Sequence, residues 1–141
     1  MSSALHGLLV VELTSGVAGA FAGKLLADLG ADVVMVEPHG GSALRAHPLF
    51  DHLAGGKRSV VAADRASGVA AAWVRAADVV LVDVADASLV ADAAPTAVII
   101  DVSPFGRTGP YRDWERSDLV TWAMGGYLSF TGAPDREPIW L

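Results

Sequence analysis

Apolar positions in this chain follow two alternating rhythms, short dense runs and longer stretches with a helical repeat. Residues 8–13 (LLVVEL) are dense in Leu and Val, as expected of a strand covered on both faces. Gly16 and Gly19 interrupt the run. From Phe21 to Leu29, Phe21, Leu25, Leu26 and Leu29 recur at spacings of three and four, which predicts a helix with those residues on one face and Gly30 as its stop. A second strand is predicted over Asp32 to Glu37, closed by Pro38, Gly40 and Gly41. Residues 42–56 read as a connector, with Leu44, Leu49, Phe50 and Leu53 as one face of a short irregular helix broken by Pro48.

The alternation then continues. Strands are predicted over Ser59 to Ala63, Asp78 to Asp83 and Ala97 to Val102. Between them come a helix over Arg65 to Ala77, capped by Asp64 and packing through Val69, Trp73 and Ala76, and a weaker one over Ala87 to Ala94. This order predicts an α/β fold, a Rossmann-like, mostly parallel sheet with helices on both faces and right-handed crossovers. After Val102 the texture changes to SPFGRTGPYRDWERSD, a loop rich in turn residues and aromatics. A short helix over Asp118 to Met124, capped by Asp118 or Ser117, and a strand over Tyr127 to Thr131 complete the reading.

Composition narrows the classes. A chain of 141 residues, 52% hydrophobic, is large enough for one ordinary core and too apolar for disorder. With no cysteine there is neither a disulfide nor a thiol nucleophile. The net charge of −6 and the lack of a basic stripe disfavour nucleic acid and acidic membranes as partners. No apolar run reaches membrane-spanning length and MSSALHG lacks the basic start of a signal peptide, so a soluble, cytoplasmic protein is expected.

The residues offer several candidate sites. The turn from Thr14 to Ala20 has glycines that let backbone N–H groups approach an anion at a helix start. Its G-x-x-G spacing lacks the dinucleotide fingerprint, so an ordinary crossover turn remains the competing reading. Lys57 and Arg58, the only adjacent basic pair, are either a phosphate clamp or a solvated start to a strand. The Pro104 to Tyr111 loop is specified by its Gly and Pro residues, whether for binding or for packing. His6, His39, His47 and His52 make no metal signature. Glu12, Asp32, Glu37, Asp101 and Asp118 lie near element ends, but spacing alone pairs none of them for acid–base work. No G-x-S-x-G elbow is present.

Taken together, HGLLVVELTSGVAGAFAGKLLADLGADVVMVEPHGG, then GGKRSVV, then SPFGRTGPYRDWERSDLVTWAMGGYLSFTGAPDREP resemble, in order, the N-terminal part of the class III CoA-transferase (CaiB/BaiF) family. The resemblance implies the N-terminal part of a larger CoA-transferase fold, with residues 1–113 as a Rossmann-like, CoA-associated domain and 114–141 as the start of the connection to the remainder. It implies transfer of coenzyme A between an acyl-CoA and a small carboxylic acid, with CoA or acyl-CoA as substrate rather than a permanently bound cofactor. Alternatives are an acyl-CoA racemase and a non-catalytic CoA-binding or assembly domain. Ser15, Gly16, Ala18, Pro38, Lys57, Arg58 and Gly106 fall at CoA-associated family positions, and Gly109, Pro110 and Asp118 also match family segments. Where the family carries E-N-F-x-P-G, this chain has VDVADAS. The family's nucleophilic aspartate is expected beyond GAPDREP, so no catalytic residue is assigned and the 141 residues are expected to be an inactive fragment or degenerate copy. The expected partner is a second copy or a complete family member.

Overall fold

Five short runs of mainly Val, Leu and Ile pair side by side in a computed structural model that describes residues 3–63, 68–83, 90, 92–115, 117–133 and 135–137. They are β1 (Leu9–Leu13), β2 (Asp32–Glu37), β3 (Arg58–Val61), β4 (Val79–Asp83) and β5 (Val98–Val102). Every pairing is parallel and the order is β3-β2-β1-β4-β5. The α/β reading from the strand–helix alternation therefore holds. The chain moves outward from β1 to one side through β2 and β3, then returns to the other side for β4 and β5. That reversal makes the C-terminal ends of β1 and β4 the topological switch point, where open α/β sheets form a crevice.

The helices are α1 (Val17–Asp28), α2 (Phe50–Ala54), α3 (Gly68–Ala76) and α4 (Asp118–Met124). Alternation along each strand divides the core between two faces. Val10, Val33 and Leu81 meet Ala22, Leu26 and Ala27 of α1. Val11, Leu13, Val36, Val80 and Val82 meet Ala70 and Val74 of α3, together with Val90 and Ala94. Val90, Asp92 and Ala93 are helical, while the expected Asp64 cap and much of the Ala87 to Ala94 helix lie outside the described residues.

Two local expectations about α1 are corrected, its start and its packing face. Helix α1 begins at Val17 rather than Phe21, and it docks through Gly19, Ala20 and Gly23. Phe21, Leu25 and Leu29 are about half exposed. The small residues bring the helix backbone close to the sheet, and of the expected row only Leu26 packs on it while Phe21, Leu25 and Leu29 turn outward. The 42–56 connector contains a 3-10 turn at Ala43–Ala46 as well as α2. Leu44 and Leu53 are buried there with Ala20 of α1, which supplies the packing that this stretch lacks locally.

The backbone divides into two units, Met1–Ser103 and Pro104–Leu141. In that second unit Ser117, not Asp118, caps α4, its hydroxyl accepting from Val120 N at 3.2 Å. Tyr127–Phe130 is a 3-10 turn instead of the expected strand. Gly126 adopts φ +76°, and the reversal sets Tyr127 against Trp122 with ring centroids 4.7 Å apart. An extended run from Tyr127 onward would lose that ring contact.

The close approach of α1 gives a first prediction. A Cβ at position 19 would lie 2.2 Å from Thr14 Oγ1 and 2.4 Å from Thr14 Cβ. Gly19→Ala should therefore lower unfolding free energy by about 1–3 kcal/mol in urea titration, despite alanine's better helix propensity. An unchanged or raised stability would contradict this packing.

Candidate functional site

The sequence LVVEL puts a carboxylate in the middle of the central strand. Glu12 is fully buried there and faces α1. A buried carboxylate needs a partner, and the basic residue that opens the β3 segment provides it. Lys57 Nζ donates to Glu12 Oε2 at 2.6 Å and to the Ala20 carbonyl at 2.7 Å. Both side chains are within 1% of complete burial. Burial pushes the Glu12 carboxyl above its ordinary range, and the adjacent Lys57 ammonium pulls it back only in part. The Thr14 hydroxyl also favours the charged form. Its geometry is loose, because neither Thr14 Oγ1 nor Glu12 Oε1 completes a well-formed hydrogen bond.

The Lys57 ammonium is turned inward onto these two acceptors instead of outward toward solvent. Arg58 diverges from it. Its Nε donates to Asp32 Oδ1 at 2.8 Å, its Nη2 donates to Asp32 Oδ2, and the guanidinium lies 5.0 Å from the centre of the Trp73 ring. Asp32 opens β2 opposite Leu9, so from there to Ser15 is six residues at about 3.3 Å each, roughly 20 Å. Arg58 therefore belongs to the N-terminal edge of the sheet. An open groove of about 450 Å³ there is lined by His6, Leu8, Asp32, Arg58 and Trp73, among others.

The opposite, C-terminal edge gathers four of the expected positions. Thr14 is buried, Ser15 is exposed, and Gly16 is the N-cap of α1 with no side-chain capping bond. Ala18 is exposed in the first helical turn. Ser15 donates from both its backbone N–H and its hydroxyl to a single oxygen, Asp83 Oδ2, at 2.8 and 2.6 Å. Asp83 ends β4, so this contact spans the switch-point crevice.

Pro38 follows β2 at the same edge and accepts from Gly41 N at 2.9 Å. Gly40 and Gly41 both take positive φ, which shapes that turn. Beneath it, Glu37 is buried and satisfied on both oxygens. Arg45 donates to it through Nε and Nη2, each at 2.6 Å, and Ser42 N and Ser59 Oγ add further bonds. The Arg45 bonds, with help from Ser59 and Ser42, outweigh burial and hold the Glu37 carboxyl at about 2. Gly106 belongs to the second unit, where φ +79° requires glycine.

Sequence reasoning missed Asp83, the Glu12–Lys57 pairing and the Glu37–Arg45 network. One signal was available for the pairing, since a lone Glu inside a buried strand demands a nearby cation. Among the described residues no three His, Asp or Glu side chains group to hold a metal.

A family model described as CoA-transferase family III matches residues 5–141. Similar curated proteins include succinate–glutarate CoA-transferase of Agrobacterium fabrum, 34% identical over 96% of this chain and 41% of that protein. Succinyl-CoA–D-citramalate CoA-transferase of Chloroflexus aurantiacus is 33% identical over 95% of this chain and 39% of its own length. Among solved structures, a CAIB/BAIF family protein from Brucella suis superposes with a TM-score of 0.85 at 32% identity, covering 100% of this chain and 44% of the other. The chain spans about two-fifths of the length of these relatives.

Two predictions come from the carboxylates. Lys57→Met strands Glu12 without a counter-charge and should cost about 3–5 kcal/mol in urea unfolding. The double variant Glu12→Leu/Lys57→Met should recover much of that loss, and failure to recover any would contradict a charge-based cause. Glu37 has a depressed folded-state value, so its contribution is fully present above the ordinary 4.5 and is lost as pH falls from 4.5 through about 2. Arg45→Ala should therefore move the acid-unfolding midpoint upward, as followed by far-UV circular dichroism, and an unmoved midpoint would count against the network.

Proposed function

Because the chain belongs to CoA-transferase family III, we propose that it forms the CoA-facing, Rossmann-like part of an enzyme that moves coenzyme A between an acyl-CoA and a small carboxylic acid. In the overall exchange the thioester of the donor is broken, its acyl group leaves as a carboxylate, and the acceptor acid takes up CoA as a new thioester. The observation that carries this reading is the family match over residues 5–141, supported by a superposition that spans the whole chain.

Within that reading, Ser15, Gly16, Ala18 and Pro38 form the CoA-facing edge of the sheet. The switch-point crevice supports this, since ligands of open α/β sheets bind at such edges. Gly106 keeps the CoA-associated role that the family resemblance implies. Lys57 and Arg58 act as structural residues in this reading, since Lys57 is held by buried Glu12 and Arg58 pairs at the surface with half-exposed Asp32. Acyl-CoA is a substrate in this account and not a resident cofactor. The working unit is a homo-oligomer in the cytoplasm, and native mass measurement tests its stoichiometry.

Calorimetry with CoA tests the assignment. Ser15→Tyr should weaken CoA binding about tenfold with the fold retained as judged by far-UV circular dichroism, while Arg58→Ala should leave affinity unaltered. The reverse pattern would move the site to the other edge of the sheet. For the reaction, transfer of CoA from succinyl-CoA to an added acid is expected of an enzyme containing this region. Exchange of the α-hydrogen with solvent deuterium in the absence of an acceptor acid would instead indicate racemase chemistry.

A further inference from the structure

The β1–α1 turn has the parts of an anion seat: a helix start without a side-chain cap, and the N–H and hydroxyl of exposed Ser15 beside it. Both Ser15 donors are already engaged. They converge on one oxygen of Asp83, which the parallel register of β4 brings to the end of β1, with Leu13 opposite Val82. A carboxylate of the chain itself therefore stands where an incoming anion would be held.

The surrounding charges strengthen this point. Glu12 lies near enough for the negative charge of Asp83 to disfavour its ionised form. The Lys57 ammonium is taken up by Glu12 and Ala20, and the Arg45 guanidinium by Glu37 at the end of β2. Among the described residues, no salt bridge to Asp83 offsets its charge. A phosphate reaching the turn would have to displace two hydrogen bonds to a carboxylate and then face that carboxylate as a like charge, an arrangement that discriminates strongly between partners. An uncharged amide-bearing chain meets no such repulsion, and its N–H groups suit a carboxylate acceptor.

We infer that Asp83 is a specificity-determining residue, which occupies the Ser15 donors and excludes phosphate from the α1 N-terminus. On the proposed function, on which this further step rests, the part of CoA that passes the turn is its uncharged pantetheine arm. The diphosphate lies elsewhere.

The test uses the full chain with two variants. Asp83→Asn keeps an acceptor oxygen for Ser15 and removes the charge, and Asp83→Ala removes both. Inorganic phosphate and pantetheine are the titrants, followed by calorimetry. Both variants should bind inorganic phosphate about tenfold or more tightly than the parent chain, with no gain for pantetheine. Adding Ser15→Ala to Asp83→Asn should reverse part of that gain. If neither variant binds phosphate more tightly, or if the parent chain already binds it as well, the inference is wrong. Should the alanine variant unfold, the asparagine variant decides alone. The phosphate titration contains no CoA, so the two readings fail separately. Raised phosphate affinity without CoA binding by the parent chain would overturn only the proposed function. CoA binding with unchanged phosphate affinity would overturn only the role of Asp83.

Discussion

A carboxylate buried in the central strand constrains everything built around it. Glu12 is tolerable in the core only because Lys57 reaches it from 45 residues away and also donates to the Ala20 carbonyl. That one ammonium ties β1, α1 and the start of β3 together. It also explains why α1 carries glycine at position 23, where a Cβ would lie 2.1 Å from Glu12 Oε2. The helix approaches the sheet closely, and its N-terminus is thereby fixed over the switch point.

From that fixed position the chemistry of the two sheet edges separates. At the N-terminal edge Arg58 is held by Asp32 and covers Trp73, which makes a satisfied structural cluster. At the C-terminal edge the strands end in acids, Glu37 on β2 and Asp83 on β4, and each has a distinct duty. Glu37 organises the Arg45 loop beneath the Pro38 turn, and Asp83 latches Ser15 across the crevice. At this edge the Arg45 cation serves the protein's own acid, and Asp83 is met by Ser15 donors instead of a cation.

Much of the fold was legible because the strand cores are nearly continuous Val, Leu and Ile runs, which read as buried parallel strands without knowledge of their neighbours. Asp32–Glu37 and Asp118–Met124 were bounded correctly by local signals, a Pro-Gly turn after the strand and a Ser cap before the helix. The start of α1 was not legible, since VAGA reads locally as turn and becomes helix only when its small side chains pack on the sheet. The strand-to-helix turn around Ser15 and Gly16 was legible, but the partner of Ser15 was not, because strand order alone brings Asp83 to it. Adjacency in sequence likewise joined Lys57 to Arg58, whereas consecutive residues at a strand start point to opposite faces.

On the proposed function, CoA meets the C-terminal edge of the sheet at the β1–α1 turn, while the basic pair at 57 and 58 serves the fold. Hydrogen–deuterium exchange of the protein with and without CoA tests this directly. Slowed exchange is expected over residues 14–20 and 38–41, with no change around Arg58 and Trp73. Protection centred on the Arg58–Trp73 groove, with residues 14–20 unaffected by bound CoA, would contradict it.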